Sequence, residues 1–219
     1  MDRTLSREDA RAYYERFAEK QDSQGWYEDA ALDRLIDAGG FSDAHAVLEL
    51  GCGTGRFARQ LLDRHLPKDA HYLGLDISSA MLTLAAERLQ PHGDRAMLAL
   101  ADATAPLPVA DRSFDRLIAA YLLDLLPRSG AQALIGEAAR ALAPGGLLCL
   151  ASLTQAQGGL TGLVARSWSA VQRLAPNWVG GCRPVLLTEL LDVEQWEVIV
   201  RETVSPWSVA SEVVVARRR

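Results

Sequence analysis

The chain is poor in the residues that build metal sites, disulfide frameworks and basic interaction surfaces. Its three cysteines, Cys52, Cys149 and Cys182, are odd in number and scattered, with no Cys-x-x-Cys and no metal-ligand spacing. That argues against a structural zinc site or a disulfide scaffold and implies free thiols in a reducing cytoplasm. No apolar run approaches the roughly 18 residues of a membrane span. Met1 to Asp9 is polar and lacks the apolar core of a secretory signal, so a cytoplasmic location is expected. Positive charge is scarce too: the net charge is -5, and the basic cluster is Arg217-Arg218-Arg219. A duplex-binding protein usually carries a basic stripe, so nucleic acid is not an expected partner. Four histidines leave few imidazole bases, and the absence of Gly-Lys-Ser/Thr removes a P-loop.

What is present is an ordinary globular composition, 49% hydrophobic and 23% charged over 219 residues, enough for one well-buried core. A single domain over 1–219 is expected, with a helical cover at 1–40 and a variable insert at 155–187. In the cover, Ser6 to Lys20 has helical character, with Ser6 and Asp9 at capping positions and aromatics at Tyr13, Tyr14 and Phe17. Trp26 to Ala38 is a second helix stopped by Gly39-Gly40. Strand and helix then alternate: strands at Ala46–Leu50, His71–Leu75, Ala96–Leu100, Phe114–Tyr121 and Leu147–Leu153, with helices at Arg56–His65, Ser78–Gln90 and Gly130–Leu142. Repeated β–α units mean a parallel sheet covered on both faces. Within the insert, Leu160 to Leu174 recurs at helical spacing. The β-rich runs Trp196–Val204 and Val209–Ala216, joined by Ser205-Pro206-Trp207-Ser208, are too close for a crossover and predict an antiparallel hairpin.

The strongest chemical signal is Val47-Leu48-Glu49-Leu50-Gly51-Cys52-Gly53-Thr54-Gly55, a strand running into three glycines and then a helix. Glycines there clear side chains from a place where backbone meets ligand. A dinucleotide fingerprint would place Gly or Ala three residues after Gly53, where this chain has Arg56. The segment resembles motif I of class I S-adenosylmethionine-dependent methyltransferases, in the small-molecule, quinone-biosynthesis-like group. Asp111-Arg112-Ser113-Phe114-Asp115-Arg116-Leu117-Ile118 resembles that family's fourth-strand motif, and Leu142-Ala143-Pro144-Gly145-Gly146 the turn before its fifth strand. The resemblance covers about residues 40–155 strongly and the terminal hairpin moderately. It implies a Rossmann-like, doubly wound sheet of seven mostly parallel strands with an antiparallel C-terminal strand, S-adenosyl-L-methionine as cofactor and methyl transfer as activity.

Asp76 ends the second strand, where such a sheet presents an acid to ribose hydroxyls. Asp102 ends the third, and the resemblance assigns it to the adenine amino group. Two acids at successive strand ends beyond a glycine loop converge on one crevice. The resemblance extends the cofactor site to Glu49, Gly51, Cys52, Gly53, Gly55, Asp76, Ile77, Met81, Asp102 and Ala103, with Tyr121 from the fourth strand and Tyr14 from the Tyr14-Glu15-Arg16-Phe17-Ala18 helix. An aromatic stripe that merely packs the helix explains Tyr14 equally well.

The activated sulfonium methyl leaves the enzyme chiefly to align a nucleophile and exclude water. Beyond the fourth strand, Tyr121-Leu122-Leu123-Asp124-Leu125-Leu126-Pro127 lacks the Asn/Asp-Pro-Pro-aromatic signature of the nucleic-acid amino-methylating branch, and Tyr121 and Asp124 are the catalytic candidates. Asp124 equally suits a helix start, and Tyr121 the core. Apolar positions on Leu160–Leu174, with Trp168 and Trp178, point to a small, partly apolar acceptor, or to a helix packed on the sheet. All four histidines (His45, His65, His71, His92) fall at amino-end positions of the sheet, away from the reacting edge. A nicotinamide-dependent oxidoreductase and a non-catalytic S-adenosylmethionine-binding module stay open as alternatives, because fold alone does not decide function.

Overall fold

The computed structural model describes residues 25–154 and 183–219. The helix at Ser6–Lys20 with Tyr14, the Leu160–Leu174 stretch, Trp168 and Trp178 lie outside these residues. The elements are α1 (Gly25–Ala38), β1 (Ala46–Leu50), α2 (Arg56–Arg64), β2 (His71–Asp76), α3 (Ser79–Leu89), β3 (Ala96–Leu100), β4 (Phe114–Ala120), α4 (Arg128–Ala141), β5 (Leu142–Leu153), β6 (Trp196–Val204) and β7 (Ser211–Arg218).

Seven strands form one sheet in the order β3-β2-β1-β4-β5-β7-β6. Strands β1 to β5 run parallel, while β7 is antiparallel to both β5 and β6. Strand β1 is apolar at successive positions because both its faces are covered: Val47, Leu48 and Leu50 are all inaccessible. One face, with Leu48, Leu117, Ala119, Leu148, Leu150 and Val214, packs on Leu134 and Ala138 of α4. The other, with Val47, Ile118, Cys149, Val213 and Val215, packs on Leu35 of α1 and Leu61 of α2. Strand β1 thus lies mid-sheet with β2 on one side and β4 on the other. That reversal of direction places a crevice at its carboxyl end.

Local chemistry sets the boundaries. The Ser78 hydroxyl accepts from the Met81 amide at 3.3 Å and caps α3. Helix α4 begins at Arg128, two residues before the expected Gly130, because Pro127 sits outside it in extended backbone and its carbonyl accepts from the Ala131 amide. Strand β5 reaches back to Leu142 rather than starting at Leu147, since Leu142 pairs with Phe114 before a bulge resets the register at Arg116–Leu147. The fourth-strand motif is a brace at the amino edge. Asp115 accepts from the His45 and Ala46 amides, and Arg116 donates to the Gly39 and Gly40 carbonyls at 2.8 and 2.6 Å.

Candidate active site

The crevice at the carboxyl edge of β1, β2, β3 and β4 opens into a cavity of about 580 Å³, within the size range of small-molecule sites. Its floor is the loop after β1. The Gly51 and Cys52 amides both donate to the Leu75 carbonyl, at 2.8 and 3.1 Å, which turns the loop across β2. Gly51, Gly53 and Gly55 all have left-handed backbones, with φ of 71°, 54° and 73°. The glycines differ in purpose. A Cβ on Gly53 would meet no protein atom within 4 Å, so that face looks into the cavity it lines. A Cβ on Gly55 would lie 3.1 Å from the Ala85 Cβ, so Gly55 serves the close approach of α2 to α3 and is not on the cavity wall. Arg88 of α3 holds the loop by donating to the Thr54 hydroxyl and carbonyl.

Asp76 closes the loop from the β2 side. One carboxylate oxygen accepts from the Gly53 amide and the other from the Ser78 amide, each at 2.9 Å. Burial raises its pKa, and these amides, with that of Ile77, pull it back. Each oxygen keeps a further lone pair toward the cavity that Asp76 lines, which suits a pair of ribose hydroxyls. Asp102 is fixed by an Asx turn, one oxygen accepting from the Thr104 amide and hydroxyl at 2.8 and 2.6 Å, and it lines the cavity with Ala103 and Thr104. Ile77, Met81, Leu122 and Leu126 complete an apolar slot beside it. The set suits an adenosine with an amino-acid tail in its chemistry: two carboxylates able to accept hydroxyl or amino protons, backbone at the loop, and apolar walls for a ring.

Glu49 lies below the loop, 3% exposed, and accepts from the Tyr72 hydroxyl at 2.6 Å. Burial lifts its pKa to about 8, against the lowering effect of Tyr72. Cys52 is buried with its thiol pKa raised, mainly by desolvation, so it is a packing residue of the loop and not a nucleophile. Tyr72, which positions Glu49, escapes sequence reasoning because it reads as an interior strand residue.

Toward β4 the wall changes character. Tyr121 leaves the strand in a left-handed conformation, φ 53°, held by its amide on the Ala151 carbonyl and its hydroxyl 2.9 Å from the Ser211 hydroxyl. Its ring meets Tyr27 edge-on at 5.8 Å. Beside it Glu28 of α1 lines the cavity, 9% exposed, with its carboxylate 3.3 Å from Arg56. Arg56 also pairs with Asp29, so the residue that departs from the dinucleotide fingerprint clasps α1 over the glycine loop. Nothing in the sequence marks Glu28: it reads as one more acid in a first helical turn. Asp124 is neither a helix start nor on the cavity wall. It is fully buried in the turn after β4, behind Leu122 and Leu125, with the Ser152 hydroxyl and the Leu153 amide alongside its carboxylate. The histidines sit where expected: His45 pairs its carbonyl with the His71 amide at the amino edge, and His92 contacts Asp63 near the end of α2.

A sheet of this order with an antiparallel β7, and a glycine loop facing two strand-end acids, form the arrangement expected of a class I S-adenosylmethionine-dependent methyltransferase. Residues 47–146 match the methyltransferase domain family. The chain is 33% identical to Methyltransferase GfsG of Streptomyces halstedii over 141 residues, covering 58% of this chain and 49% of that protein. It is 32% identical to a ubiquinone/menaquinone biosynthesis C-methyltransferase of Rhizobium meliloti over 144 residues, 65% and 54% of the two chains. The chain thus spans about half the length of the curated relatives it matches. In fold it resembles the N-methyltransferase NodS of Bradyrhizobium japonicum, solved with S-adenosyl-L-homocysteine, with a TM-score of 0.66, 19% identity and 87% coverage of both chains. Among the described residues no group of potential metal ligands occurs, and no helix is long and apolar enough to cross a membrane.

Proposed function

We propose that the protein transfers the methyl group of S-adenosyl-L-methionine to a small, partly apolar acceptor. One observation carries the reading: a single cavity joins the glycine loop, Asp76 and Asp102 to Glu28 and Tyr121, so donor and acceptor positions share one enclosure. In this reading Asp76 takes the ribose hydroxyls and Asp102 the adenine amino group. Gly51 to Gly53 face the amino-acid tail, and Gly55 serves indirectly through helix packing. Tyr121 and Glu28 bound the space where the methyl is delivered. No sulfonium activation is needed, so on the donor side the protein's contribution is alignment and exclusion of water. Partly apolar walls, Leu32, Phe57 and Leu125 among them, support a small organic acceptor over a nucleic acid, as does the net charge of -5. The reduced, buried thiols Cys52 and Cys149 support a cytoplasmic setting.

Calorimetry with S-adenosylmethionine, S-adenosylhomocysteine and NAD tests the cofactor, with saturable binding expected for the first two alone. Release of S-adenosylhomocysteine on adding pooled metabolites tests catalysis. Binding without release from any pool would reduce the protein to a cofactor-binding module.

A further inference from the structure

Among the described residues, two buried carboxyl groups at this end of the cavity have one shared cation each, Arg56 and Arg183. Glu28 lines the cavity beside Tyr121, and Arg56, its cationic partner, is shared with Asp29. Asp124, one layer behind the wall, is fully buried beside Ser152 and the Leu153 amide, and the nearby Arg183 guanidinium also donates to the Leu126 carbonyl at 2.9 and 2.6 Å. The charged and polar groups around Glu28 are Arg56, Asp29, Tyr27, Tyr121 and Asp124. A buried carboxylate whose counter-ion is shared is costly, and a further cation brought to it offsets part of that cost. A neutral acceptor would take water from Glu28 and bring no positive charge in its place.

Resting on the methyltransferase reading, we propose that the acceptor is an amine, bound as its ammonium form against the Glu28 carboxylate and the Tyr121 ring, with Glu28 then taking its proton. Aromatic rings and carboxylates together are the usual host for an ammonium group. Burial, opposed by Arg56 and reinforced by Asp124, lifts Glu28 to about 7, and burial lifts Asp124 similarly, so Glu28 can exchange a proton near neutrality. The ammonium gives one proton to Glu28. The freed nitrogen lone pair forms the N–C bond as the C–S bond breaks, its electron pair stays on sulfur, and the positive charge passes from sulfur to nitrogen. Glu28 contacts the acceptor and is the catalytic base, whereas Asp124 acts through the field it adds.

The test compares benzylammonium with benzyl alcohol, near-isosteres differing in charge, by NMR titration into the protein saturated with S-adenosylhomocysteine. Benzylammonium is expected to bind at least about tenfold more tightly. E28Q is expected to erase that preference and D124N to reduce it about threefold, with melting temperature as the folding control and E28D retaining the preference. Equal affinities, no benzylammonium binding, or an undiminished preference in folded E28Q would overturn the inference. So would E28Q weakening S-adenosylmethionine relative to S-adenosylhomocysteine with the probe preference intact, since Glu28 would then serve the sulfonium. Should Glu28 variants fail to fold, the wild-type comparison decides alone. Failure of the protein to bind S-adenosylhomocysteine at all sinks the methyltransferase reading itself, a separate outcome.

Discussion

Asp76 links the loop to the cavity: its two oxygens hold the Gly53 and Ser78 amides while the same residue lines the cavity. Replacing it with alanine removes the ribose acceptor and unties the loop. We expect Asp76→Ala to weaken S-adenosylhomocysteine binding by roughly 2–4 kcal/mol with the fold retained, as charge-assisted hydrogen bonds of this kind are lost. Unchanged affinity by calorimetry in a folded variant would remove the ribose assignment. The histidines give the opposite expectation. With His45 and His71 at the amino edge, His65 at the end of α2 and His92 on Asp63, none lines the cavity. Single His→Gln variants should keep kcat within about tenfold, short of the roughly 10²–10⁴ lost with a general base. A hundredfold fall in one folded variant contradicts the placement.

Between elements, the glycine loop separates two demands that share one sequence motif. Gly55 lets α2 approach α3, where an added Cβ would press on Ala85 in a left-handed backbone. Gly53 has the same backbone sign but faces empty cavity. We therefore expect Gly55→Val to lower stability by roughly 1–3 kcal/mol through overpacking and strain. Gly53→Val should instead abolish cofactor binding by filling the space the ligand occupies, with a smaller change in stability from strain alone. Urea melts and cofactor titrations on the two variants separate these effects, and equal loss of stability in both would contradict the division. Arg56 joins a third element, because its pairs with Glu28 and Asp29 tie α1 to the start of α2.

Across the whole molecule the buried acids set a pH dependence. Glu28 and Asp124 are raised to about 7 and Glu49 to about 8, in each case chiefly by burial. Unfolded, such groups ionise near 4, so between there and pH 8 the folded state binds more protons than the unfolded one. Stability is thus fully present at low pH as far as these groups go, and is lost as pH rises through 7 and 8. Glu137 and Glu202, lowered by Arg140 and Arg34, act oppositely but only toward acid pH. We expect the urea midpoint of the ligand-free protein to fall between pH 6 and pH 8.5, and Glu49→Gln, which cannot ionise, to flatten that fall. A midpoint that rises over this range would contradict the burial of these acids as charged-state penalties.

How far the sequence reached follows from the range of each interaction. The strands β1, β2 and β3, the Ser78 cap, the glycine loop, Asp76 and Asp102 are all readable, because apolar periodicity, capping and loop chemistry act over a few residues. The terminal hairpin is readable because its short link forbids a crossover. Glu28, Tyr72 and Arg56 are not. Each acquires its role by meeting residues 20 or more positions away, and their local surroundings are those of any helix or strand. The same holds for Asp124, which stands in a Leu-rich turn like any loop acid until β5 and Arg183 close over it and leave its carboxyl buried. The sequence alone determined the cofactor class and the edge of the sheet where it binds. Only the tertiary structure decided which acids line the cavity or are buried behind it and at what protonation cost, since burial and charge pairing depend on the packing of distant elements.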